Sequence, residues 1–245
     1  MPPHEPYAAV YGSPGARPRG LGLLKSLWPI GVILFGMGYL TRTALPYPHI
    51  PQGILALLFF AVAVGIAATI NKARTKIANH TKGARGEELA ARTLATLPQE
   101  YTVLHGIMMK GGLRDLEGGA DIDHVVVGPN AVFAIETKHW HGDITCDGTE
   151  LLQDGVLPDR DPIEQTQHAA RRVQAFLATR GINIPVTPLL LFSAAMPRNV
   201  PTKRENVIVT HVDSLKDRLL AHEAPAFSRQ IRQIMIEQLA RQVEP

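Results

Sequence analysis

The amino-acid sequence predicts an α/β domain, a mixed central sheet flanked by helices, standing behind a pair of apolar helices. Three observations point there. Apolar runs of strand length recur at residues 101–109, 121–127, 132–138, 185–193 and 207–211, with helical patterns before, between and after them. Two uncharged, mostly apolar runs, 27–40 and 54–70, stand apart near the N-terminus. The runs 121–127 and 132–138 are separated only by Gly128-Pro129-Asn130-Ala131, the strongest hairpin signal in the chain.

At 245 residues the chain can hold one good-sized domain and an appendage, and its 45% apolar content is ordinary for a globular protein. The single cysteine, Cys146, excludes an internal disulfide framework and a multi-cysteine zinc site, and suits a reducing compartment. A net charge of +3 permits nucleic-acid binding without arguing for it, because a dedicated non-specific binder carries a strongly basic stripe. There is no Walker-type phosphate loop and no internal repeat.

Residues 1–25 are rich in Pro and Gly, with Arg17, Arg19 and Lys25 as their main charges, and read as a disordered basic tail. Residues 26–72 read as a transmembrane hairpin. The second run, about 17 residues at 1.5 Å each, spans about 26 Å against a hydrocarbon core of about 30 Å, so the fit is slightly short. Arg42 can snorkel to extend the first span, and Asn71 and Lys72 can finish the second. Arg17, Arg19 and Lys25 precede the pair and Lys72, Arg74, Lys76, Lys82 and Arg85 follow it, which places both ends on the cytoplasmic face. Buried helices of a soluble bundle are the alternative, although no amphipathic partner helix lies nearby.

After a basic linker, residues 73–82, a helix is expected over residues 86–97, stopped by Pro98. Glu87, Ala90, Leu94 and Leu97 share one stripe, so Glu87 sits at the core-facing edge or serves simply as an acid at the helix N-terminus. A first strand and a Gly-rich loop, 111–119, then lead to the central hairpin. Lys110 and Arg114 there are candidate phosphate contacts or a solvated turn.

Pro129 disfavours a two-residue turn, so a four-residue loop over 128–131 is expected, with Val127 opposite Val132. That register sets Asp123 across from Glu136 and puts Lys138 on the same face. Ile122, His124, Val126, Phe133 and Ile135 fill the other face, His124 as a core histidine. Two facing carboxylates at the end of an apolar sheet repel unless a cation joins them or they share protons. Mg²⁺, or Mn²⁺ in its place, suits oxygen ligands and leaves positions for a phosphate.

Beyond the hairpin, residues 145–157 should form a turn and strand pair. Asp161-Pro162-Ile163-Glu164 carries N-cap, N1 proline and first-turn acid signals for a helix running to about Thr179 and stopping at Gly181. Gln165 lies one turn in, and Arg171 and Arg172 are candidate phosphate contacts or a solvated face. Asp213 should cap a short helix after strand 207–211, and residues 226–243, with Phe227, Ile231, Ile234, Met235 and Leu239 at helical spacing, should close the chain as an amphipathic helix packed through that stripe. Three consecutive strand positions cannot all face one metal, which argues against zinc at His139-Trp140-His141.

Asp123 followed by Glu136-Thr137-Lys138 resembles the Asp…Glu-x-Lys signature of the PD-(D/E)XK nuclease superfamily. The fuller wording, Gly83-Ala84-Arg85-Gly86-Glu87, Ile122-Asp123-His124-Val125-Val126, Ile135-Glu136-Thr137-Lys138 and Trp140, is similar to its nuclease-related branch, over roughly residues 80–195. The resemblance implies a restriction-endonuclease-like fold over 83–195, with 196–245 packing on it, and a nuclease that cuts nucleic acid, DNA favoured, with Mg²⁺. It implies Asp123 and Glu136 as metal ligands, joined by the Thr137 carbonyl, Glu87 as the helix glutamate holding a second ion or a water, Lys138 beside the attacking water, and Gln165 at the site's edge. His139 departs from the asparagine usual at its position. The rival is a tethered module that binds nucleic acid or a protein without cutting. The lipid bilayer and a second copy of the chain, through the hairpin or the C-terminal helix, are the further expected partners.

Overall fold

The computed structural model describes residues 7–12, 82–109, 121–147, 150–201 and 203–243, together with residues 32, 35, 36, 39, 61, 64, 65 and 68. The chain divides into two units, Met1–Gly15 with Gly83–Pro245 as one and Ala16–Lys82 as the other. In the second unit the nine described positions, Lys82 among them, are helical. The two expected membrane spans otherwise lie outside the described residues. Among the described residues, no helix is long and apolar enough to cross a membrane.

The first unit is built on a mixed sheet. Its strands are β1 (Ala9–Tyr11), β2 (Thr102–Met108), β3 (Asp121–Val127), β4 (Val132–Lys138), β7 (Val186–Phe192), β8 (Lys203–Arg204) and β9 (Val207–His211), in the spatial order β1-β2-β3-β4-β7-β9-β8. β2, β3 and β4 run antiparallel, whereas β1 joins β2, and β7 joins β4 and β9, in parallel. β5 (Ile144–Asp147) and β6 (Glu150–Gln153) form a separate hairpin, as residues 145–157 foretold.

The helices cover both faces, which is why the central strands read as almost unbroken apolar runs. Helix α1, residues 82–94, lays Ala90 and Leu94, with Leu97 just beyond its end, against Val126, Phe133 and Ile135, and the short helix α3 (Leu215–Leu220) adds Leu215 and Leu219 on that side. On the opposite face, α2 (Pro162–Ala178) and α4 (Arg229–Ala240) cover Val125, Val127, Val132 and Ala134 with Ala169, Val173, Leu177, Met235 and Leu239. The α2 start follows its sequence signals: Asp161 Oδ1 accepts from the Ile163 amide at 2.8 Å, and Pro162 takes the first helical turn. The β5–β6 hairpin packs Ile144 and Leu151 on Ile163 and Phe192, and Trp140 joins this cluster.

Three expectations need correction. Residues 9–11 are not part of a disordered tail: they extend the sheet at its β2 edge, and the Ala8 amide donates to the Leu97 carbonyl at 2.9 Å. A strand of three residues is too short to show a period in sequence, and its stability comes from the pre-existing edge of β2. Asp213 does not cap the helix after β9. It lies inside a 3-10 turn, Val212–Ser214, that His211 caps, its Nδ1 accepting from the Asp213 amide at 3.3 Å, and α3 then starts from Ser214 without a side-chain cap. Ile234 of α4 faces solvent, and Met235 and Leu239 carry that helix's burial instead.

Candidate active site

The hairpin follows the register read from its residues. Val127 pairs with Val132 and His124 with Ile135, and the Gly128 amide donates to the Ala131 carbonyl at 2.9 Å across the four-residue loop. Continuing that ladder by one step brings Asp123 opposite Glu136. The Thr137 amide, left free of the β3 ladder there, donates to Asp123 Oδ2 at 2.7 Å and fixes the carboxylate's direction. Burial pushes the Asp123 carboxyl well above its ordinary value, and the nearby charges of Glu136 and Glu87 push it further. The Thr137 amide and Lys138 oppose that shift without cancelling it.

Lys138 lies on the same side as Glu136, two residues on in the strand. Its Nζ donates to Glu136 Oε1 at 2.7 Å and to Gln165 Oε1 at 2.7 Å. Gln165 is held there by α2, one turn after its proline start, so the helix signals at 161–164 also determine where this amide points. The five expected site residues therefore gather at one end of the sheet. Asp123 and Glu136 face each other, Lys138 bridges to Gln165, and Glu87 lies within electrostatic reach of Asp123.

The expected phosphate contacts are not brought together in this way. Lys110 and Arg114 lie outside the described residues. Arg171 is exposed and donates to Gln167 Oε1 at 3.5 Å along its own helix, while Arg172 is half-buried.

Among the described residues, no group of three or more histidine, cysteine, aspartate or glutamate side chains is gathered closely enough to hold a metal ion. Mg²⁺ does not need such a group, since it is usually bound by one or two carboxylates and keeps several waters. The donor set fits that habit: two oxygen-bearing acids converge, and the ionised form of Asp123 is disfavoured without a further positive charge. Zinc gains no support at His139 and His141, whose rings stack edge to face at 5.0 Å without a third ligand.

Sequence reasoning missed several neighbours. His124, foreseen as a core histidine, meets His105 from β2, Nδ1 to Nδ1 at 2.7 Å, and its Nε2 has no hydrogen-bond partner among the described residues. The strand pairing of 105 with 124 would have shown it, had the β2–β3 register been readable across the Gly-rich loop. Ser193, just after β7, bonds His139 Nδ1 at 2.9 Å. The parallel pairing of Lys138 with Phe192 sets the two chain ends side by side, and no local motif signals it.

With this geometry in place, comparison with known proteins gives a consistent answer. Residues 82–193 match the model of the nuclease-related domain, NERD. That segment is similar to a nuclease-related domain. An uncharacterised protein of Bacillus anthracis is 32% identical to this chain over 87 residues, a stretch covering 35% of this chain and 40% of that protein. This chain therefore spans less than half the length of that relative. No solved structure matches the chain significantly. The matched segment takes in α1, the central hairpin, α2 and β7, so it contains all five residues of the candidate site.

Proposed function

We propose that the nuclease-related domain hydrolyses phosphodiester bonds of nucleic acid, DNA in preference, with a divalent cation, and that residues 26–72 anchor it to the cytoplasmic face of the cell membrane. The observation that carries the catalytic part is the joining of Asp123, Glu136, Lys138 and Gln165 at one end of the sheet through short contacts. Asp123 and Glu136 would hold Mg²⁺ or Mn²⁺, with the Thr137 carbonyl beside them. Bound there, the ion would polarise a phosphoryl oxygen and offset the developing charge.

The chain's own groups do the rest. The Thr137 amide keeps Asp123 aimed across the hairpin. Gln165 draws on the Lys138 ammonium and holds it at the mouth of the site, where it orients the attacking water, eases by its charge the loss of that water's proton to solvent and steadies the phosphorane-like charge. Positioned proton transfer contributes about 10²- to 10⁴-fold, far less than phosphodiester hydrolysis requires, so the two acids are indispensable. Glu87 adds a third negative charge from the α1 side. The anchoring part is supported by the two uncharged runs and by the basic residues flanking both of them.

One observation favours the non-cutting module. Lys138 already neutralises Glu136 by a direct ion pair, which is a self-sufficient arrangement. Cleavage of labelled single- and double-stranded DNA and RNA by the full chain in detergent, with Mg²⁺, Mn²⁺ or EDTA and beside Lys138→Ala, separates the two. Metal-dependent cutting lost in the variant supports the nuclease. A folded chain that binds these substrates and cuts none of them supports the module. A fragment beginning near Asn79 would be a poor reagent, because it lacks β1 and bares the edge of β2.

A further inference from the structure

Two glycines of α1, Gly83 and Gly86, look equivalent in sequence and are not equivalent in space. A methyl group at Gly83 would meet nothing within 4 Å. At Gly86 it would stand 2.7 Å from His139 Cβ and 2.8 Å from Ser193 Oγ, closer than such carbons approach. Neither neighbour can give way easily. His139 Cβ is one bond from the backbone that continues β4, and Ser193 is held twice, by its side chain to His139 Nδ1 at 2.9 Å and by its amide to the Lys138 carbonyl at 3.1 Å. Gly86 itself is buried, so α1 rests on the ends of β4 and β7 with no room for a side chain between them.

The next residue is Glu87, whose charge acts on Asp123. We propose that Gly86, seated on the His139–Ser193 pair, is the positioning element that brings Glu87 up to the acids of the metal site, an inference that rests on the metal-dependent reading above. The His139 ring, pinned by Ser193, forms the floor on which Gly86 of α1 lies. Gly86, His139 and Ser193 touch neither substrate nor metal in this scheme. They act through Glu87.

The test is Mn²⁺ binding by the full chain, followed by electron paramagnetic resonance, with thermal unfolding as a check on folding. Helix propensity alone would make alanine neutral or better at both glycines. Gly83→Ala should bind Mn²⁺ as the unaltered chain does, whereas Gly86→Ala should bind about 10- to 100-fold more weakly, the usual effect of losing a supporting contact around a metal. Glu87→Gln should weaken binding comparably, and adding Gly86→Ala to it should cost nothing more. Ser193→Ala, which leaves the helix room and only frees the His139 ring, should weaken binding to a smaller extent, and it decides the matter if Gly86→Ala does not fold. Equal binding by Gly86→Ala and Gly83→Ala, or losses that add in the double variant, would overturn the proposal alone. An unaltered chain that binds no Mn²⁺ overturns the metal-dependent reading and the proposal with it.

Discussion

The His105–His124 contact makes the domain sensitive to acid in a way that can be worked out in advance. Both rings are buried, and burial holds His105 down from 6.5 to about 4 and His124 well below 6.5, with the neighbouring ring adding to the latter. Between about 4 and 6.5 the unfolded chain binds a proton at His105 that the folded chain refuses, so stability falls as pH falls through that window. A shift from 6.5 to about 4 corresponds to a loss of about 3 kcal/mol from this ring by the acid end. Asp123 works the other way. Its raised carboxyl takes up a proton in the folded state first, and its contribution to stability is lost as pH rises. Asp123→Asn removes that opposing slope and leaves the histidines exposed to measurement. Urea unfolding of the full Asp123→Asn chain in EDTA, stepped from neutral pH to about 4, should show stability dropping by more than about 3 kcal/mol, since His124 adds to the loss at His105, and the His105 ring should titrate by NMR near 4. A His105 midpoint at 6.5 with flat stability would refute the reasoning, because it would mean that the ring is solvated in the folded protein.

Other outcomes follow from the site and the core. Asp123→Ala and Glu136→Ala should each abolish cleavage while circular dichroism stays unchanged, and full activity in either would remove that residue from the site. Gln165→Ala should lower kcat about 10- to 100-fold, because a hydrogen bond to a charged group is worth about 1.5–3 kcal/mol and here it places Lys138. An unchanged kcat would leave Gln165 a surface residue. Phe133→Ala should cost about 3–5 kcal/mol in urea unfolding, since the ring is fully buried and stands edge to face on His222 at 5.1 Å.

The parts of this protein that were legible in sequence are those whose cause is local. The 128–131 loop has its turn chemistry in four consecutive residues, and through the period-2 rule it set the register that carries Asp123 and Glu136. The α2 start was equally explicit, with Asp161 capping and Pro162 following. Elements whose cause is distant were not legible. β1 owes its form to the edge of β2, β8 is two residues pairing with β9, and the His139–Ser193 bond depends on a parallel pairing between strands far apart in the chain. His105 had no motif to mark it, and only the sheet discloses its partner.

β1 also has a consequence for how the chain is laid down. The strand is synthesised first, yet it has nothing to pair with until residues 102–104 follow, after the whole of 16–82 has been made. Gly12 then closes tightly beneath the His105 carbonyl and Val243, so the segments that flank residues 16–82 belong to a single body. A loop closed in this way must return to the side from which it left. If residues 16–82 enter a bilayer, they therefore cross it an even number of times, and a single crossing would leave β2 without its neighbour.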